Sequence, residues 1–143
     1  MKPLTQVQVK LIKQSWRAFR NIDPAIIGDL FYSKLFSDNP QVKKMFPKDM
    51  YQQYNKLIDM ITVIVIRLDN LALITEEIAA MANRHVGYGV KPAHYTLVGD
   101  ALLWTLEKGL GKDWTAEVKE AWATCYTLLA DKMIGASSQT TEG

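Results

Sequence analysis

The chain has 143 residues, 48% of them hydrophobic and 22% charged, with a formal net charge of +2. That length and composition suit one domain with a sizeable core, and so small and mixed a charge excludes the clustered basic face of a nucleic-acid-binding protein. The longest apolar stretch, Met60 to Ile66, is broken by Thr62 and is far short of a membrane span. The single Cys125 cannot form an internal disulfide, and no signal-type apolar run follows Met1, so a soluble cytoplasmic protein is expected.

Helical periodicity recurs along the chain and no strand alternation persists, which predicts an all-α fold. Thr5 is the expected N-cap of a first helix with Val9, Ile12, Trp16 and Phe19 along one stripe. Asn21-Ile22-Asp23-Pro24 stops it and starts a second, with Asp23 as cap, Pro24 at the first helical position and Ile27, Leu30, Phe31 and Leu35 inward. Ser37-Asp38-Asn39-Pro40 repeats that stop-and-start ahead of a short helix with Val42, Met45 and Phe46, which Pro47 ends. A long helix is expected from about Asp49 to Leu68, with Leu57, Ile61, Ile64 and Leu68 inward, and Asp69-Asn70 breaks it. The next runs from Thr75 to about His85. Pro92 opens another, with Tyr95, Val98, Leu102 and Leu106 inward, ending near Gly109 or Gly111. Thr115 caps the last, which carries Val118, Trp122, Cys125, Leu129 and Met133. Residues 1–134 read as one domain and 135–143, small and polar, as a flexible tail.

His85 is the residue with the most chemistry to offer. It shares a helical face with Ile78 and Met81. An imidazole there needs a partner for its second nitrogen. Two readings stand: a core histidine bonded to a carbonyl, or a metal ligand. With two histidines and one cysteine in the chain, the usual zinc sets cannot be assembled. A single histidine does suffice for an iron already held by a porphyrin. His94, in the first turn after Pro92, is the rival ligand and is expected to be exposed and neutral, because the helix dipole disfavours a cation there. Glu76 and Glu77 sit in a first helical turn, where acids favour the dipole. Gly87 and Gly89 follow no strand and make no phosphate loop. Ser15, Ser33 and Ser137 lack a nucleophile elbow. Tyr32 and Gln53 are the remaining unusual polar groups: each reads either as a solvated edge residue or as part of an inner face.

In order and spacing these residues resemble a globin over about Leu11 to Ile134. Leu11-Ile12-Lys13-Gln14-Ser15-Trp16-Arg17-Ala18 is similar to the first helix of neuroglobin-like proteins. Phe31-Tyr32-Ser33-Lys34-Leu35-Phe36, Asn39-Pro40 and Met45-Phe46-Pro47 resemble the early helices of bacterial single-domain globins and of the globin part of flavohaemoglobins. Arg84-His85, Tyr88-Gly89-Val90, His94-Tyr95 and Val98-Gly99 resemble the region of the proximal histidine, and Glu120-Ala121-Trp122 with Tyr126 resembles the last helix. The resemblance implies a three-over-three helical sandwich around haem b. It implies His85 as iron ligand, Phe46 stacked on the porphyrin, Gln53 and Tyr32 on the distal side with Leu57 a turn further on, and Val90, Tyr95, Val98 and Tyr126 as pocket wall. Lys56 and Arg84 are candidates for the propionates.

The implied ligands are dioxygen, nitric oxide and carbon monoxide. A donor aimed at bound dioxygen, which gains superoxide character, makes a charge-assisted hydrogen bond worth roughly 1.5–3 kcal/mol, and Tyr32 and Gln53 can both donate, so tight oxygen binding is expected. One departure matters. The glutamate that supports the proximal histidine in flavohaemoglobins falls on Ser137, with Asp131 and Glu142 out of register, so the imidazole is expected to push electrons only modestly toward iron. No flavin or nicotinamide domain is recognised in the sequence, so catalytic nitric oxide dioxygenation would call for an external reductase. A gas or redox sensor, and a globin fold without haem, are the further alternatives.

Overall fold

A computed structural model describes the backbone of residues 4–19, 21–46, 48–68, 70, 78–80 and 92–142, and the side chains of these except Pro92 and residues 135–142. Five helices account for most of it: α1 (Gln6–Arg17), α2 (Pro24–Asp38), α3 (Tyr51–Ile66), α4 (Pro92–Leu110) and α5 (Ala116–Glu142). Short 3-10 turns at Pro40–Met45 and Gly111–Asp113 join them, and no strand occurs among the described residues. The helix expected from Thr75 to His85 lies largely outside the described residues; 78–80 are helical.

Local chemistry explains the boundaries. The Thr5 hydroxyl accepts from the Gln8 N–H at 3.1 Å while the Gln8 side chain accepts from the Thr5 N–H at 3.1 Å, a reciprocal capping box. Asp23 accepts from the Ala25 N–H at 2.9 Å with Pro24 at the first turn of α2. Thr115 accepts from the Val118 N–H at 3.2 Å and opens α5. Three expectations need correction. Phe19 is buried but lies in the turn after α1, because the Ala18 N–H bonds back to the Ser15 carbonyl and the Phe19 N–H to that of Trp16, which tightens the helix end. Asn39 does not cap forward: its backbone N–H and its side-chain amide both donate to the Leu35 carbonyl, at 3.0 and 3.1 Å, so it closes α2 instead. Leu68 is buried, yet it follows the end of α3 in a tight turn. The backbone of α5 is helical from Ala116 to Glu142. That segment has no proline, and extending a helix already anchored costs little per residue.

Helix α2 packs against α3 on one side and α4 on the other, α1 packs against α5 and α3, and α4 packs against α5. This is the pairing of a three-over-three sandwich. The main core gathers Ile12, Trp16, Phe31, Leu35, Leu106 and Trp122 at its centre, and a second, smaller cluster joins Ile64, Ile78 and Met133. The buried indoles have partners. The Trp122 N–H donates to the Ser15 hydroxyl at 2.8 Å, which donates onward to the Ile12 carbonyl at 2.9 Å. The Trp16 N–H donates to the Thr62 hydroxyl at 3.1 Å. Ser15, which offered no nucleophile motif, is thus a structural acceptor linking α1 to α5. Ser15→Ala leaves the Trp122 donor buried and unpaired, and will lower unfolding stability by about 1–3 kcal/mol, read as a shift in denaturant midpoint at unchanged slope.

Candidate functional site

The α2–α3 crossing builds the site. Helix α2 has two adjacent buried stripes, Ile27, Phe31 and Leu35 beside Gly28 and Tyr32. At Gly28 the helices touch: a Cβ there would lie 2.5 Å from the Tyr54 Cβ. Only glycine permits that approach, so Gly28→Ala must push the helices apart, at a cost of about 1–3 kcal/mol, measurable by thermal or denaturant unfolding.

The close crossing turns Tyr32 inward. It is 5% exposed, with Phe46 edge-on at 5.4 Å, Phe36 at 5.7 Å and Tyr54 at 5.9 Å between ring centroids. The Gln53 amide, half-buried on the first turn of α3, donates to the Tyr32 hydroxyl oxygen at 3.2 Å. Gln53 is therefore partly covered and hydrogen-bonded to Tyr32. Tyr32 accepts in this bond, and no acceptor for its own proton is found among the described residues. Burial pushes the Tyr32 phenol above its ordinary value; the Gln53 hydrogen bond works the other way, and the neighbouring Tyr54 raises it further. Tyr32 is thus a neutral, buried hydroxyl with a donor to offer.

Leu57, one turn beyond Gln53, is buried, whereas Lys56 faces solvent. Phe46 sits just past the 3-10 turn, half-buried against Tyr32 and Phe36. Val98 is half-buried against the main core. Tyr95 belongs instead to the second cluster, with Ile64, Ile78 and Met133. The Tyr126 hydroxyl donates to the Tyr95 carbonyl at 2.6 Å, tying α5 to α4, and its ring lies where a Gly99 side chain would be. Burial raises the phenols of both Tyr95 and Tyr126. His94 is half-buried rather than exposed, because it lies one turn before Val98 on the same partly covered face of α4. Arg84, His85 and Val90 lie outside the described residues, as do Glu76, Glu77, Gly87 and Gly89. The side chain of Ser137 is outside them too, and Asp131 is exposed. No group of three or more His, Cys, Asp or Glu is placed to hold a metal ion among the described residues, and no described helix is long and apolar enough to cross a membrane.

The sequence reading left Asp29 out. Its carboxylate accepts from the Tyr54 hydroxyl at 3.3 Å and from the Ser33 hydroxyl at 3.3 Å. The Ser33 contact is legible as an i, i+4 pair. The Tyr54 contact spans 25 residues and has no local signal.

A family model described as Globin matches residues 29–133. The chain belongs to the globin family. This globin is 32% identical over 134 residues to a flavohemoprotein of Vibrio cholerae, covering 92% of the chain but 34% of that relative, so it spans about a third of the flavohemoprotein's length. It is 26% identical to neuroglobin-1 of Oncorhynchus mykiss, over 93% of the chain and 92% of the relative. Among solved structures it is similar to a bacterial globin from Campylobacter jejuni, with a TM-score of 0.84 and 25% identity, covering 97% of this chain and all of the other. An engineered carbene transferase from Rhodothermus marinus shares the fold at 24% identity and a TM-score of 0.87, over 97% of this chain and 96% of the other. The all-α, three-over-three architecture of this globin is that of the family.

Proposed function

We propose that this globin binds haem b and holds dioxygen reversibly. The observation that carries the reading is the Tyr32 hydroxyl, which is buried, accepts from Gln53 and has no acceptor for its own proton among the described residues. A buried donor without an acceptor is costly and marks a place for a ligand that accepts. The surrounding residues suit a flat apolar group with a polar edge: Phe46, Leu57 and Val98 offer apolar side chains, and Lys56 is exposed nearby on α3. Haem would supply an iron with one coordination position left for a diatomic gas.

His85 would hold the iron, Phe46 would stack on the ring, and Lys56 and Arg84 would pair with the propionates. Val90, Tyr95, Val98 and Tyr126 would close the walls. Covalent attachment through a Cys-x-x-Cys-His motif is impossible with one cysteine, and Cys125 is buried, its thiol pushed up by burial to about 12. The haem is therefore extractable by acid solvent. Its Soret band in the purified or haemin-supplemented protein is the test, and a chain that stays colourless with added haemin overturns the reading.

The likeness to a flavohemoprotein supports a second reading, nitric oxide dioxygenation with electrons from a reductase. Nitric oxide and carbon monoxide would be taken at the same position. Sustained nitrate formation with a reductase and cellular reductant separates catalyst from carrier. A single turnover followed by arrest leaves the carrier.

A further inference from the structure

Two side-chain hydrogen bonds cross from α3 to α2 at the site, and they start from adjacent residues. On the inner side, the Gln53 amide donates to the Tyr32 hydroxyl oxygen at 3.2 Å. On the outer side, the Tyr54 hydroxyl donates to the exposed Asp29 carboxylate at 3.3 Å. The same carboxylate oxygen accepts from the Ser33 hydroxyl, one turn further along α2, at 3.3 Å. Tyr54 also lies over Gly28, with its ring 5.9 Å from that of Tyr32. Gln53 needs such support. It lies in the first turn of α3, whose N-cap Met50 makes no side-chain hydrogen bond, and helix ends fray where their N–H groups lack partners. Asp49 accepts from the Tyr51 N–H at 3.1 Å, two residues short of Gln53.

We infer that Tyr54 and Asp29 are positioning residues: their hydrogen bond clamps the first turn of α3 onto α2 and so holds the Gln53 amide on the Tyr32 hydroxyl. The inference rests on the dioxygen reading above only for its effect on the gas. Without the clamp the helices would still pack through the Tyr54 ring and Gly28, but the turn that carries Gln53 would be free to swing. The Tyr32 hydroxyl could then rotate about its C–O bond, and its proton would be spread over several directions instead of one. A hydrogen bond weakens steeply as its angle closes, so a donor aimed in advance holds a ligand better than one that must be ordered on binding. An ionised acceptor strengthens the outer bond. The Ser33 hydroxyl narrows the choice of Asp29 rotamers, which matters for a carboxylate open to solvent.

The test has two readouts. Nuclear magnetic resonance of the full chain, in its carbon monoxide form where haem is bound, follows the Gln53 side-chain amide through its proton exchange with water and its proximity to the Tyr32 ring. Dioxygen dissociation follows the consequence. Tyr54→Phe, which keeps the ring over Gly28, and Asp29→Ala should each speed the amide exchange, weaken the contact with Tyr32 and raise the dissociation rate severalfold, by less than Tyr32→Phe does. Asp29→Asn keeps an oxygen that accepts and should restore most of both. On a Tyr32→Phe background, Tyr54→Phe should change the rate no further, because the clamp acts through that hydroxyl. Ser15→Ala, which weakens the fold between α1 and α5, should leave the Gln53 amide unmoved. An amide unchanged in Tyr54→Phe or in Asp29→Ala overturns the clamp, as does an equal change in Ser15→Ala. A dissociation rate that stays put while the amide moves, or that rises again on the Tyr32→Phe background, overturns its role at the oxygen site. A chain without a Soret band removes the dioxygen reading alone, because the amide readout still decides the clamp.

Discussion

His85→Ala will abolish the normal Soret spectrum and weaken haemin binding by more than the roughly 10–100-fold that follows loss of an outer-shell partner of a metal ligand. The expectation rests on arithmetic as much as on likeness. The chain has two histidines, and His94 sits half-buried on α4 one turn before Val98; the proposed function gives the proximal role to His85. Removing a ligand deletes a bond to the iron itself, whereas an outer-shell partner only orients one. Titration of the apoprotein with haemin measures the effect. Added imidazole should restore part of the spectrum, since it replaces the lost nitrogen without repairing anything else. An unchanged spectrum and affinity in His85→Ala would assign the ligand elsewhere, with His94 next in line.

Tyr32→Phe will raise the dioxygen dissociation rate by about tenfold to a hundredfold, the rate equivalent of a charge-assisted hydrogen bond of roughly 1.5–3 kcal/mol. Carbon monoxide, which stays nearly neutral, should respond much less. The geometry refines the expectation that Tyr32 and Gln53 can both donate. One amide hydrogen of Gln53 is engaged with the Tyr32 oxygen, so Tyr32 presents a proton with no acceptor among the described residues and Gln53 fixes where it points. Gln53→Leu should therefore have the smaller effect.

The pH dependence has a definite sign. Burial raises the Tyr32 phenol above its ordinary 10.0, against the opposing influence of Gln53. A raised value means that the neutral form is the one favoured by folding. Its contribution is complete below the unfolded value and is lost only as pH rises through the higher folded one. Dissociation should therefore be flat between about pH 6 and pH 9, where an unperturbed phenol is also protonated, and should rise only in stronger alkali. Flash photolysis or rapid mixing across that range checks both claims; an off-rate in Tyr32→Phe equal to wild type would remove the hydroxyl from the oxygen site.

Much of the fold was legible because its signals are local. Thr5, Asp23 with Pro24, and Thr115 each act within three residues, through a side-chain oxygen and an otherwise unpaired helix N–H. Asn39 shows the limit of that logic: the same residue type before a proline can cap the helix ahead or close the one behind, and only the geometry chooses. The candidate site was legible as a set of residues rather than as an arrangement. Tyr32 and Gln53 could each be read as solvated. Their hydrogen bond links positions 21 residues apart, and the Trp122–Ser15 bond links positions 107 apart. No periodicity reports such distances.

By itself, then, the sequence determined helices, their caps, their apolar stripes and, through the order of Tyr32, Phe46, Gln53 and His85, the family to which they belong. Tertiary structure decided which polar groups face inward. On α2, Phe31 and Tyr32 lie about 100° apart around the axis, as 3.6 residues per turn require, so a helix packed on one side would bury one and wet the other. Enclosure between α3 and α4 buries both. That double packing, made possible where Gly28 lets Tyr54 approach, is why a tyrosine that could have ended in water is a buried donor, and why a second tyrosine and Asp29 stand beside it.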